Sequence, residues 1–150
     1  ALCESGYSPS DIAILYRWKS RREAQAFEAL LSQLTELGVK PYWITANSQT
    51  KRGYSTNQPG VRIITALSSL GLEFKVVVLL WLEQFSDCCH PDKEKAALAR
   101  RQLYVAMTRA QEELCLIAGD KSQIGSVLRR EGQLESANSL QSKSLPLAAT

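Results

Sequence analysis

The sequence lacks the features that mark most specialised classes of protein. Its four cysteines, Cys3, Cys88, Cys89 and Cys115, are too few and too unevenly spaced for a disulfide scaffold. There is no signal peptide and no apolar run long enough to span a bilayer, so the expected setting is a reducing cytoplasm without membrane contact. Strong charge of either sign is also missing. Eighteen Lys and Arg against fifteen Asp and Glu give +3 at pH 7, which permits nucleic-acid contact without predicting it. Any basic surface must therefore come from local clusters such as Lys19, Arg21 and Arg22. No G-x-x-x-x-G-K-[ST] phosphate loop (Walker A) occurs, nor the acidic pair (Walker B) that would hold Mg²⁺. The chain by itself is thus expected not to hydrolyse ATP. The absence of G-x-G-x-x-G removes support for an unrelated dinucleotide-binding domain. Cys88-Cys89-His90 is the one cluster that suggests a metal. Adjacent cysteines chelate poorly together and no second pair stands at C-x-x-C spacing, so no metal site is expected.

What is present describes an ordinary globular domain. In 150 residues, 45% are hydrophobic and 22% charged, enough for one core. The sequence opens at Ala1 without an initiator Met, which suits either a trimmed protein or a fragment of a longer one. Asp11 to Tyr16 reads as a buried parallel strand. Ser20-Arg21-Arg22-Glu23 has capping-box spacing, and the helix it opens, with Phe27, Leu30, Leu31 and Leu34 at helical spacing, stops at Gly38. Val39 to Ile44 reads as a second strand, and Asn47 to Gly60 as a loop. Val61 to Thr65 and Phe74 to Trp81 are apolar, β-branched runs that predict central strands. Asp92 can cap a helix to about Met107, Leu114 to Ala118 makes a last strand, and Ser122 to Arg130 a closing helix. The alternation predicts a parallel sheet with helices on its faces and with sites at the carboxyl ends of the strands. Residues 1–131 form the expected domain. From Gly132 the aromatics vanish, so 132–150 is expected to be a disordered tail.

Two places carry candidate chemistry. The run Arg100-Arg101-Gln102-Leu103-Tyr104-Val105-Ala106-Met107-Thr108-Arg109-Ala110 ends a helical pattern by presenting Arg109 beside Thr108. A guanidinium is a permanently charged planar fork of donors, suited to the charge that spreads over phosphoryl oxygens during transfer. The plainer possibility is a surface arginine paired with Glu112 or Glu113. Glu73 stands where the chain re-enters the sheet after Gly71 and Leu72, which puts a carboxylate at the functional rim, able to accept hydrogen bonds from ribose hydroxyls. The alternative there is a solvated loop carboxylate.

Asp11 to Arg17, Val61 to Phe74 and Arg100 to Ala110 together resemble three motifs of the superfamily 1 helicases of the UvrD/Rep type, in order and at matching spacing. They are the strand ending in Tyr-Arg, the T-x-H-x-x-K-G-L-E-F segment and the final R-R-x-x-Y-V-A-x-T-R-A. The resemblance implies a three-layer RecA-like (P-loop NTPase-type) fold, the second such domain of an ATP-dependent DNA helicase or translocase. It implies that Arg109 reaches the γ-phosphate of ATP and that Glu73, with Gly71, contributes to nucleotide binding. Arg17 would touch the DNA backbone, and Thr65 and Ser68 would lie along single-stranded DNA. Arg100, Arg101, Tyr104 and Thr108 would support the helix that aims Arg109. ATP and Mg²⁺ would be shared with an N-terminal RecA-like domain of the same full-length protein.

The chain also departs from that pattern. Leu67 and Leu70 stand where the family has His and Lys, and leucine neither donates a hydrogen bond nor carries charge. Trp18-Lys19 replaces the usual Thr-Asn after Tyr-Arg, and Trp18 is either a base-stacking residue or a packed surface tryptophan. Two readings follow: a diverged helicase motor domain, or a noncatalytic nucleic-acid-binding or regulatory module derived from one. The link from Ile44 to Val61 is too short for the large helical insertion of many relatives, which resembles the compact branch of the family.

Overall fold

The parity of buried residues along the strands decides the architecture. A computed structural model describes residues 5–44, 59–119 and 122–130. All five residues of β1 (Ile12–Tyr16) are buried, but they divide between two apolar clusters. Ile12, Ile14 and Tyr16 belong to one cluster, Ala13 and Leu15 to the other. A strand covered on both faces is a central strand. Accordingly β1 pairs in parallel with β3 (Val61–Thr65) on one side and β4 (Phe74–Leu79) on the other. The flanking strands are β2 (Pro41–Trp43) beside β3 and β5 (Ala110–Leu116) beside β4, also parallel, giving the order β2-β3-β1-β4-β5.

Helices cover both faces, so the fold has the three layers expected. On one face lies α1 (Arg21–Glu36), whose Phe27 is fully buried among Ile12, Ile14, Tyr16, Ile63 and Val76, with Leu30, Leu31 and Leu34 beside it. Burying one such ring stabilises the fold by about 1.5–3 kcal/mol. On the other face, Ala99 and Ala106 of α2 (Lys93–Met107) and Ile124 of α3 (Gln123–Arg130) pack over Ala13, Leu15, Ile64, Val77 and Leu79. The small alanines let α2 approach the sheet closely.

The helix starts match their sequence signals. The Glu23 carboxylate accepts from the Ser20 N–H at 3.1 Å and from the Ser20 hydroxyl, and the hydroxyl bond is the main cause of a Glu23 pKa below the usual carboxylate range. Asp92 caps α2 by accepting from the amides of Glu94 at 2.9 Å and Lys95 at 3.3 Å. Ser122 Oγ accepts from Gly125 N at 3.0 Å at the start of α3.

Several element limits differ from expectation. β2 has three residues rather than the six of Val39 to Ile44. β4 stops at Leu79, because Trp81 takes a left-handed backbone (φ 53°) that ends the strand. A 3₁₀ segment, Leu82–Cys89, follows where no regular structure was predicted. β5 begins at Ala110, four residues before Leu114, because Gln111, Glu112 and Glu113 lie on an edge strand that is held by β4 and needs no apolar alternation. The predicted loop 47–60, apart from its last two residues, and the predicted tail 132–150 lie outside the described residues.

Candidate functional site

Because every strand runs the same way, strand starts share one edge of the sheet and strand ends share the other. Glu73 immediately precedes β4 and Arg109 immediately precedes β5, and the first residues of those strands, Phe74 and Ala110, are partners. Phe74 N donates to Arg109 O at 2.9 Å, so Glu73 and Arg109 are neighbours at the amino edge. Glu73 thus stands where the chain re-enters the sheet, as its place in the sequence implies, while the general expectation of sites at the carboxyl ends of the strands does not describe this pair. The cause is the short return from β3. After Thr65 the chain runs through the 3₁₀ turn Leu67–Ser69 and through Gly71 in a left-handed conformation (φ 80°), and it re-enters the sheet at the starting edge.

At this edge the Arg109 side chain folds back on the end of α2. Nε donates to Val105 O at 3.0 Å, Nη1 to Leu72 O at 3.2 Å and Nη2 to Thr108 Oγ1 at 3.2 Å. Carbonyls at a helix C-terminus have no partner further along the helix, and together they attract a cation. Among the described residues Arg109 forms no ion pair, which sets aside the surface pairing with Glu112 or Glu113. Those carboxylates serve Tyr7 instead. Its hydroxyl donates to Glu113 Oε1 at 3.1 Å, and desolvation followed by the hydrogen bonds to Glu112 and Glu113 pushes the phenol pKa up to about 12. Glu73 is exposed, and its Oε2 accepts from Gln111 Nε2 at 2.9 Å.

Arg17, Thr65 and Ser68 lie toward the opposite edge. Tyr16 and Thr65, the last residues of β1 and β3, are register partners, and Ala66 N donates to Tyr16 O at 2.7 Å. Thr65 Oγ1 accepts from Ser68 N at 3.2 Å, which fixes the turn. The Arg17 side chain is only 8% exposed, with donors turned inward: Nε to Gln102 Oε1 at 2.8 Å, Nη1 to Gln84 O at 2.6 Å and to Asp87 Oδ2 at 3.0 Å. In this arrangement the guanidinium that is expected to touch a DNA backbone is engaged within the chain. A guanidinium enclosed by three acceptors joins β1, α2 and the Leu82–Cys89 segment, and it presents little surface to an outside phosphate.

The expected supports of Arg109 divide. Thr108 caps α2, its N–H donating to Tyr104 O at 3.0 Å and its hydroxyl to Val105 O at 3.1 Å. Arg100 Nε donates to Cys88 O at 3.0 Å and ties α2 to the 3₁₀ segment. The Arg101 side chain is exposed, without a hydrogen bond or ion pair among the described residues. Tyr104 is 69% exposed, so its ring is neither a core residue nor a brace within the chain, and Leu103 and Met107 pack in its stead. Leu67 and Leu70 are also exposed. Gln84, Asp87, Gln102 and Gln111 were not singled out from the sequence. Only Gln102, inside the last motif, carried a signal there. Among the described residues no group of three His, Cys, Asp or Glu side chains is placed to hold a metal ion, and no helix is long and apolar enough to cross a membrane.

With this geometry established, comparison with known proteins gives one family. The family described as UvrD-like helicase C-terminal domain matches residues 23–121. No curated protein matches the chain. Among solved structures it is similar to the C-terminal domain of a possible DNA helicase from Lactobacillus plantarum WCFS1, at 24% identity and a TM-score of 0.48. That similarity covers 78% of this chain and 60% of the other.

Proposed function

This chain belongs to the UvrD-like helicase C-terminal domain family, and from that premise we propose that it is the C-terminal motor half of an ATP-dependent DNA helicase or translocase. The observation that carries the proposal is Arg109, a guanidinium held at the end of α2 and on Leu72 O, beside an exposed Glu73 and without a carboxylate partner among the described residues. The residues present fit one side of a nucleotide. Arg109 offers uncompensated positive charge for a γ-phosphate, and Glu73 offers an accessible acceptor for ribose hydroxyls. Bound ATP with Mg²⁺ would supply the phosphoryl group whose transfer powers movement.

The work of this chain is to hold Arg109 and Glu73 at fixed separation and to bring them against an N-terminal RecA-like domain that carries the phosphate cradle. When the two domains close, Arg109 exchanges its bonds to Val105 O and Leu72 O for phosphoryl oxygens and stabilises charge in the transition state. The exchange is favourable because the present acceptors, two backbone carbonyls and the Thr108 hydroxyl, are neutral, whereas phosphoryl oxygens carry charge and can accept from two arms of the guanidinium at once. Thr65 and Ser68, at the other end of the β3-to-β4 return, contact single-stranded DNA. One connected segment, residues 65–73, thus links the nucleic-acid end of the domain to the nucleotide end. Family membership favours this motor over a noncatalytic module. The test is ATPase of the intact protein with and without single-stranded DNA. The motor reading expects hydrolysis that rises with DNA, and hydrolysis absent under both conditions would reject it.

A further inference from the structure

We infer that Trp18 is a base-stacking residue for single-stranded nucleic acid, with Lys19 and Arg21 beside it as phosphate contacts. The inference rests on the motor reading and adds a site to it. The chain has three tryptophans, and two are committed to packing. Trp43 stacks on Phe27 at 4.8 Å, carries Lys19 Nζ 4.3 Å from its ring centroid and donates from Nε1 to Tyr16 OH at 2.9 Å. Trp81 meets Phe27 edge-on at 4.9 Å. Trp18 is 43% exposed.

That exposure is not looseness. The Trp18 backbone is held from both sides by one side chain, with its N–H donating to Gln84 Oε1 at 3.3 Å and its carbonyl accepting from Gln84 Nε2 at 2.8 Å. The Arg17 guanidinium lies 4.2 Å from the ring centroid and is itself fixed by Gln102 and Asp87. One ring face is therefore covered by a cation, and the exposed surface belongs to the other face and the edges. A ring so held loses little conformational entropy when a base stacks on it. Trp18 follows β1 by two residues, and β1 ends beside Thr65 of β3, so the ring stands at the edge where Thr65 and Ser68 begin the return. The local charge suits a polyanion. Asp87 pairs with Arg17 and Glu23 bonds Ser20, whereas Lys19 and Arg21 are exposed and have no carboxylate partner among the described residues.

The test is binding of a fluorescent oligothymidylate to the intact protein, measured by anisotropy at two salt concentrations for wild type, Trp18→Leu, Trp18→Phe and Lys19→Ala. Trp18→Leu keeps apolar bulk and loses the ring, so its affinity should fall about tenfold with an unchanged salt slope, while Trp18→Phe should stay within about threefold of wild type. Lys19→Ala should reduce the salt slope by about 0.7. Wild-type binding with Trp18→Leu within twofold of it would overturn the stacking site and leave the motor reading standing. No binding by the wild type at either salt concentration would overturn both.

Discussion

Arg109 Nη1 donates to Leu72 O at 3.2 Å, so the arginine of the last motif rests on the residue next to Glu73. Two segments 37 residues apart in the chain meet there because their strands pair, with Phe74 opposite Ala110. The candidate nucleotide contacts are thereby set by sheet register rather than by a flexible loop. A displacement of one would move the other.

Glu73 should contribute to nucleotide affinity and little to folding. Its carboxylate is exposed and bonded only to Gln111 among the described residues. In the intact protein, Glu73→Ala should weaken ATP binding about tenfold, corresponding to the loss of about 1.5 kcal/mol for hydrogen bonds to a charged acceptor, with an unchanged melting temperature. Isothermal titration with a nonhydrolysable nucleotide checks this, and unchanged affinity would remove Glu73 from the site.

Arg17 should behave in the opposite way. Arg17→Ala leaves Gln102 Oε1 and Gln84 O without their donor and removes the partner of a half-exposed Asp87, so it should cost about 2 kcal/mol in urea denaturation. Arg17→Lys should recover only part of that, because an ammonium cannot reproduce the planar fork that reaches all three acceptors.

Gly60, just before β3, and Gly71, in the return to β4, should respond unequally to Ala. Gly60 has φ 135°, and a Cβ there would meet Lys40 O at 2.4 Å, so both backbone conformation and space oppose substitution. Gly71 has φ 80° and open surroundings. Gly71→Ala should cost about 1 kcal/mol and Gly60→Ala 2 kcal/mol or more, compared by thermal melts.

Much of the fold was legible because β1, β3 and β4 are largely covered on both faces and so read as mainly apolar runs, interrupted near the start of β3 by Arg62 and of β4 by Lys75. The start of β5 was hidden for the converse reason. Its outer residues, Gln111, Glu112 and Glu113, are polar, and only pairing with β4 makes them a strand. Leu82–Cys89 was illegible, since two short helical pieces joined at Phe85 carry no sustained period. That segment supplies Gln84 and Asp87, so the enclosure of Arg17 could not be read from the sequence either. The motif order pointed to Glu73 and Arg109 together. The edge they occupy followed only from knowing that both precede strand starts.

Leu67 and Leu70 are 60% and 56% exposed, so restoring the family's residues should not disturb the core. Leu67→His with Leu70→Lys should change stability by no more than about 0.5 kcal/mol, while the added lysine should steepen the salt dependence of single-stranded DNA binding by about 0.7. Anisotropy titrations across a salt series measure that slope, and an unchanged slope would place this turn away from the DNA.

The central claim is that Arg109 acts on the transferring phosphoryl group, and it is tested most directly by steady-state ATPase of the intact protein carrying Arg109→Gln. Folding and nucleotide binding should be verified alongside, because Arg109 also ties α2 to Leu72. The account predicts a fall in turnover of about 10³–10⁵ with nucleotide still bound. A folded, nucleotide-binding variant that loses less than tenfold would contradict it.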